Sequence, residues 1–194
     1  TKLFSRKRRE PRMEPPLNLL AFEFRKHLAG GRTRPMLFAA MDEQGNQRVV
    51  VLKLRRPAGT YGTEHLGATS LACELISAVL ARSCDLSVPD YAIVDVPPEL
   101  AEAVPDSAVR DSLKVNPGLN FGSVFVQGMD LWRDSGATRD PALLEFFEQL
   151  MQFDAALING DRTVDKSNVI WRGSEAYAID HSLALPIVLW DHGS

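Results

Sequence analysis

An α+β fold is what this chain predicts, on three observations. Apolar runs at 36–41 and 48–54 flank the turn-forming Asp42-Glu43-Gln44-Gly45-Asn46 and read as neighbouring strands. A stretch starting near Ser70 repeats Leu71, Leu75, Val79 and Leu80 at helical spacing. A long apolar helix over 141–158 empties into a polar turn, which two short strands at 168–171 and 176–179 follow. No internal repeat or low-complexity tract interrupts this mixture.

Composition bounds the answer. With 194 residues, 45% of them hydrophobic and 24% charged, the chain can bury a core as one or two small domains. A formal charge of −3 argues against a dedicated nucleic-acid binder. The exception is the run at 1–12, where Lys2, Arg6, Lys7, Arg8, Arg9 and Arg12 read as a solvated basic tail within 1–16. If one helix carries both Cys73 and Cys84, they lie about 16 Å apart along its axis, too far for a disulfide. Buried free thiols are therefore expected, and with them a cytoplasmic protein. No apolar run approaches the roughly 20 residues of a membrane span, and no signal peptide is visible in the basic start.

Taken in order, Leu17, Leu20, Phe24 and Leu28 recur at helical spacing and predict a short amphipathic helix over 17–28. Gly30-Gly31-Arg32-Thr33-Arg34-Pro35 ends it. Adjacent glycines free backbone N–H groups to face phosphate, and Arg32, Thr33 and Arg34 add donors, although a Gly pair is also an ordinary helix stop. Lys53 stands among Val and Leu in a strand, where an ammonium is expensive unless it meets an anion or snorkels to water. Ser70 is the expected cap of the next helix, which carries Glu74. A connector over 85–89 leads to an alternating strand at 91–96, then to an irregular excursion or short helix at 97–116. A strand at 123–126 comes next. In a two-lobed nucleotide enzyme a hinge falls there, with backbone groups from Phe125 to Gln127 pairing with adenine. Asp140-Pro141 then reads as N-cap and first helical position, Leu143, Leu144, Phe147, Leu150, Met151, Ala155, Leu157 and Ile158 as the buried face, and Gly160 as the stop.

The turn after that helix holds the chemistry. Asp161 lies in it, Asn168 opens the next strand, and Asp180 ends the one after. Phosphoryl transfer needs one carboxylate near the attacking hydroxyl, plus an Asn and an Asp to hold Mg²⁺ on the phosphates. Lys53, with Glu74 on the next helix, matches the ion pair that keeps a lysine on the α- and β-phosphates.

With Lys53, Glu74, Asp161, Asn168 and Asp180 in that order, the chain resembles the protein kinase-like fold, and more narrowly the HipA-like family of bacterial kinases. Gly-Gly-Arg-Thr-Arg-Pro at 30–35, Val-Leu-Lys-Leu at 51–54 and Leu-Ala-Cys-Glu-Leu at 71–75 carry the resemblance. So do Val-Pro-Asp-Tyr at 88–91, Phe-Gly-Ser at 121–123, Asn-Gly-Asp-Arg-Thr at 159–163 and Ile-Asp-His-Ser at 179–182. The resemblance implies ATP- and Mg²⁺-dependent phosphorylation of Ser or Thr, sometimes by the toxin of a toxin–antitoxin pair. It also implies two lobes: a small antiparallel-sheet lobe with phosphate loop and hinge over 17–128, and a mainly helical lobe over 129–194. In these terms Asp161 is the base, Asn168 and Asp180 ligate Mg²⁺, Lys53 holds phosphate, Glu74 positions Lys53, and Gly30, Gly31, Arg32, Thr33 and Arg34 form the phosphate loop. Phe125 and Gln127 contact the nucleotide.

Three departures accompany this. Kinases usually place the metal-binding Asn five residues after the base, where this chain has Lys166. A charged lysine has no acceptor lone pair, so Asn168 is the expected ligand and Lys166 the residue facing the γ-phosphate. The chain ends 14 residues after Asp180, so the large lobe is expected to be truncated. His181-Ser182 stands where protein kinases have Phe-Gly. Besides a protein kinase, two readings remain: a lipid or small-molecule kinase, since phosphoinositide kinases share an Asp-Arg followed by Asn and Asp, and a nucleotide-binding pseudokinase module that recognises a partner.

Overall fold

The computed structural model describes residues 14–28, 35–55, 67–133, 138–163 and 166–185. The α+β class holds. Strands β1 (Leu17–His27), β2 (Met36–Met41) and β3 (Gln47–Lys53) come first, then helix α1 (Ala68–Ser83) and strand β4 (Tyr91–Val96). Helices α2 (Pro98–Ala103) and α3 (Ser107–Lys114) precede β5 (Gly118–Val124) and the short β6 (Asp130–Leu131). Helix α4 (Pro141–Leu157) and strands β7 (Val169–Arg172) and β8 (Glu175–Ala178) complete the order.

The first five strands close into a barrel in the order β1-β2-β3-β5-β4, with β1 parallel to β4 and the other pairs antiparallel. This corrects two expectations, a helix over 17–28 and a purely antiparallel small sheet. For the helix the reason lies in Leu20, an exposed residue on the outer face that completed the apparent spacing, and in two register shifts, between Ala21 and Glu23 and between Phe24 and Lys26. Leu19 and Ala21 face the core in strict alternation, and the irregularity then moves the inward phase to Phe24. A bulge of this kind turns a period of two into a spacing that imitates a helix. Closure removes the open edges a five-stranded sheet would otherwise expose.

The barrel core is apolar and close-packed: Phe38, Val50, Leu52 and Val94 are fully buried, and α2 and α3 add Leu100, Val109 and Leu113 to it. Gly122 on β5 has its place by necessity, because a Cβ there would stand 2.6 Å from Val94 Cγ2. Asp106 caps α3 and Asp140 caps α4, each accepting two backbone N–H groups. Pro141 comes next, as anticipated.

Helix α1 departs from its expected shape. It starts at Ala68 with Gly67 as N-cap, so Ser70 lies inside the helix and is buried. Its buried face is Ser70, Leu71, Cys73, Glu74, Ser77, Ala78 and Ala81, while Leu80 is exposed. The helix serves two clusters at once: Leu71 and Ala78 pack with Tyr91 and Phe121, and Ala81 packs with Leu86, Val88 and the α4 side chains. A single apolar stripe is therefore the wrong template for it. Cys73 is buried and Cys84, the C-cap, is exposed, so the expectation of two buried thiols holds for one of them; both are free.

The second layer is a three-stranded sheet, β6-β7-β8, against α4. Helix α4 buries Leu143, Phe146, Leu150, Phe153 and Leu157. Leu144, Met151 and Ile158, expected inside, are 51%, 71% and 63% exposed, because the helix packs on one narrow face. Gly160 does not stop it either; Ile158 does, in the left-handed conformation at φ 54°. The 85–90 connector joins the layers: Ala178 N–H donates to the Ser87 carbonyl at 2.9 Å, and Arg82 pairs with Asp90 and Glu14. Among the described residues no helix is long and apolar enough to cross a membrane.

Overpacking a barrel this tight costs about 1–3 kcal/mol. Gly122→Ala is expected to destabilise by that amount, and Val94→Ala to make the pair less than additive. Denaturant midpoints of both single variants and the double variant test it; strict additivity would show that the two positions do not meet.

Candidate active site

Lys53 is the last residue of β3 and lies opposite Phe121 on β5. Its ammonium contacts a Glu74 carboxylate oxygen from α1 and sits 2.8 Å from Asp180 Oδ1, just beyond β8. Glu74 is used twice, since its Oε2 also accepts the His181 backbone N–H at 3.0 Å. Barrel, helix and second sheet thus meet at one cation between two carboxylates. Burial alone would push the Lys53 pKa down, but the charges of Glu74 and Asp180 outweigh it and hold the value above the usual lysine range. Asp180 is opposed by burial too, yet the Lys53 charge and hydrogen bond, with Lys166 beyond, hold its carboxyl well below the usual range. Glu74, fully buried, is pushed up by burial, which Lys53 only partly offsets.

On the other side of Asp180 stands Asp161. Lys166 Nζ lies 2.7 and 2.5 Å from the two Asp161 oxygens and 3.9 Å from Asp180 Oδ2. Asn168 Nδ2 donates to Asp161 Oδ2 at 3.2 Å, which leaves the Asn168 carbonyl oxygen as the group it can offer a cation. Asn168 and Ile179 are joined by a 2.9 Å hydrogen bond from the Ile179 N–H to the Asn168 carbonyl, so Asn168 and Asp180 start and finish facing strands. Both adopt the left-handed backbone, at φ 47° and 60°, a conformation Asn and Asp tolerate better than most side chains. Asp180 Oδ1 is taken by Lys53 and by the Ser182 hydroxyl at 3.2 Å, so Oδ2 is the oxygen turned toward Lys166.

Among the described residues no group of three or more His, Cys, Asp or Glu side chains could enclose a metal ion. An Asn carbonyl and a carboxylate form an all-oxygen pair, the kind of partial protein shell Mg²⁺ accepts when phosphates and water complete it. The residues fit that ion.

The expected site residues divide into three groups. Lys53, Glu74, Asp161, Lys166, Asn168 and Asp180 come together in one place. Gly30, Gly31, Arg32, Thr33 and Arg34 lie outside the described residues. Phe125 is only half available, because its N–H donates to the Val49 carbonyl at 2.8 Å and extends the barrel ladder by one residue. The backbone N–H of Phe125 is therefore already taken within the fold. The strand preceding it begins at Gly118 and not at Ser123.

Sequence reasoning passed over Arg162, Asp154, Asn159 and His181. Arg162 Nε donates to Asp154 Oδ2 at 2.5 Å, Asn159 Nδ2 donates to Asp154 Oδ1 at 2.8 Å, and Asn159 Oδ1 accepts the Asp161 N–H at 3.2 Å. Asn159, Arg162 and His181 stood inside the motifs at 159–163 and 179–182 without roles of their own, and Asp154 was signalled as a charged residue one turn before the end of a mostly apolar helix. His181 is buried against Phe153, and Arg162 Nη2 lies 3.3 Å from its Nε2. A guanidinium can only donate, so Nε2 is the acceptor and the ring proton belongs on Nδ1. Burial, reinforced by the Arg162 and Lys53 charges, pushes the His181 pKa down to about 3.

The two lysines, three carboxylates and one amide gathered here are the kinds of group that phosphoryl transfer uses. Residues 59–188, more than half of the chain, match the model of the HipA-like kinase family, and the chain belongs to that family. Lys53 and the glycine pair precede the matched stretch. No curated protein matches the chain in sequence.

The depressed His181 pKa has a signed consequence. Between its folded value of about 3 and the unfolded value of about 6.5, the unfolded chain takes up the proton first, so stability falls as pH drops through 6.5. Thermal melts at pH 7.5 and pH 5 are expected to show a larger drop for the wild type than for His181→Gln, which keeps an acceptor for Arg162 but does not titrate. Equal drops would mean that the ring accepts a proton in the folded state.

Proposed function

We propose that the chain is an ATP- and Mg²⁺-dependent kinase that transfers the γ-phosphoryl group to a Ser or Thr hydroxyl of a protein. One observation carries this reading: Lys53 is held between Glu74 and Asp180, residues 21 and 127 positions away in sequence, while Lys166 reaches from Asp161 toward the same Asp180. A purely structural salt-bridge cluster has no need of a second lysine spanning two carboxylates at the end of a sheet.

In this reading Asp161 accepts the proton of the attacking hydroxyl as the new P–O bond forms and the bond to the leaving ADP oxygen breaks. Lys53, kept protonated by its two partners, offers its ammonium to the α- and β-phosphates, and Glu74 fixes its direction. Asn168 and Asp180 hold Mg²⁺, which when bound neutralises the charge on the transferring phosphates. Lys166 leaves Asp161 when substrate arrives and faces the γ-phosphate. Residues 17–128 act as a small lobe, with Gly30 to Arg34 over the phosphates and Gln127 in the hinge. Residues 129–194 supply the base and the metal ligands. The protein acceptor and an antitoxin-like partner are what the resemblance implies, and both belong to this reading.

Radiolabel transfer from ATP with and without Mg²⁺, followed by mapping of the labelled residue, tests the whole proposal. Label on lipid or on a small molecule would redirect it, and no label in any Mg²⁺ condition would reduce the chain to a nucleotide-binding module. Asp161→Asn is expected to lower the transfer rate about 10²–10⁴-fold, the usual loss for a general base. Lys53→Met is expected to lose transfer per folded molecule far more than it loses stability, although its melting temperature also falls because Glu74 and Asp180 are left without their cation.

The two candidates downstream of Asp161 separate by metal dependence. Asn168→Ala is expected to raise the Mg²⁺ requirement steeply, and Lys166→Ala to slow transfer with little change in that requirement. Calorimetry of ATP binding across Mg²⁺ concentrations reads the first, and initial rates read the second. Mg²⁺ dependence that tracks position 166 would reverse the assignment.

A further inference from the structure

We propose that Arg162, which touches none of the reacting groups, is the positioning residue that sets the two Mg²⁺ ligands at their working separation; the proposal rests on the kinase reading above. The side chains of Arg162 and Asp154 are 11% and 13% exposed, and Arg162 engages all five of its N–H donors. Nε binds Asp154 Oδ2 at 2.5 Å, Nη1 binds the carbonyls of Ser167 and Asn168, both at 2.6 Å, and Nη2 reaches the Ile179 carbonyl at 3.5 Å and His181 Nε2 at 3.3 Å.

The positions of these acceptors decide the role. Ser167 immediately precedes Asn168, and Ile179 immediately precedes Asp180, so the guanidinium grips the peptide in front of each candidate ligand. Those two residues are also ones whose backbone is left-handed, a conformation that surrounding contacts must impose on a residue with a side chain. A peptide carbonyl held in place fixes the ψ of its own residue and the φ of the next. Arg162 therefore acts on the aim of both side chains without meeting either. Asp154, on rigid helix α4, anchors the guanidinium, and its other oxygen accepts from Asn159, which in turn accepts the N–H of Asp161. One charged residue on α4 thus references base and ligands to the same helix.

The spacing from Asp161 to Asn168, two residues longer than usual, gives this grip a purpose. Among the described residues Thr163 and Lys166 exchange backbone hydrogen bonds of 3.0 and 3.1 Å, and Arg162 ties the end of the segment to α4 through the Ser167 and Asn168 carbonyls. A lysine could not replace the arginine: it has three donors on a flexible stem and cannot reach carbonyls on two strands and a carboxylate together.

The test compares Arg162→Lys with the wild type, and Asp154→Asn serves as a milder second variant should the first fold poorly. Two readouts are needed. Amide hydrogen exchange in the nucleotide-free protein is expected to speed up about tenfold at 166–169 and 179–182, with 36–53 of the barrel unchanged. In kinetics, both variants are expected to show a half-saturating Mg²⁺ concentration raised about 10–100-fold, the range for residues that orient metal ligands, while the KM for ATP at saturating Mg²⁺ moves little. Wild-type exchange in those segments, or wild-type Mg²⁺ dependence per folded molecule, would overturn the proposal and leave the kinase reading intact. Failure of the wild type itself to bind Mg²⁺ and ATP in calorimetry would overturn the kinase reading first, and this proposal with it.

Discussion

A single ammonium shared by two carboxylates is the constraint around which this molecule is arranged. Lys53 ends a barrel strand, Glu74 rides on a helix and Asp180 lies just past a strand of the other sheet, and none of the three is tolerable in its place without the others. Removing one partner from a buried ionic group leaves a charge uncompensated, at a cost of about 3–5 kcal/mol. The site and the packing of the three elements are therefore one structural problem. The second use of Glu74, as acceptor for the His181 N–H, extends that dependence to the backbone that carries Asp180.

The barrel gives this cluster a stiff support. Strand β3 lies between β2 and β5, and β5 pairs with Lys53 itself through Phe121, which ties the end of β3 to the barrel beside Glu74. The opposite half of the site rests on α4, whose left-handed end at Ile158 turns the chain sharply into the loop of Asp161. Between the halves, the 85–90 connector bonds to β8 through Ser87 and to the N-terminal approach through Arg82.

Much of this was legible in residue order. The β2–β3 hairpin, the Asp140-Pro141 start of α4 and the Asp161, Asn168, Asp180 series all depend on local chemistry, and local chemistry survives in a sequence. The misread elements share a different cause. Bulges in β1 changed the side-chain phase, and a changed phase looks like another period. Leu144, Met151 and Ile158 belong by hydropathy to a buried face, but a three-stranded sheet covers only one side of α4. Arg162 stands inside a recognisable motif yet shows no role there, because its acceptors are mostly backbone carbonyls, and no side-chain pattern records where those point.

The left-handed backbone at Asn168 sets stability against the proposed chemistry. Glycine takes such a conformation freely, so Asn168→Gly would relieve backbone strain at a position proposed to hold the metal. Asp180 shares that backbone, but its carboxylate also compensates Lys53, and losing the charge costs more than the strain it relieves. A branch of this family freed from its reaction would therefore be expected to drift first at Asn168 and to keep Asp180 for its charge.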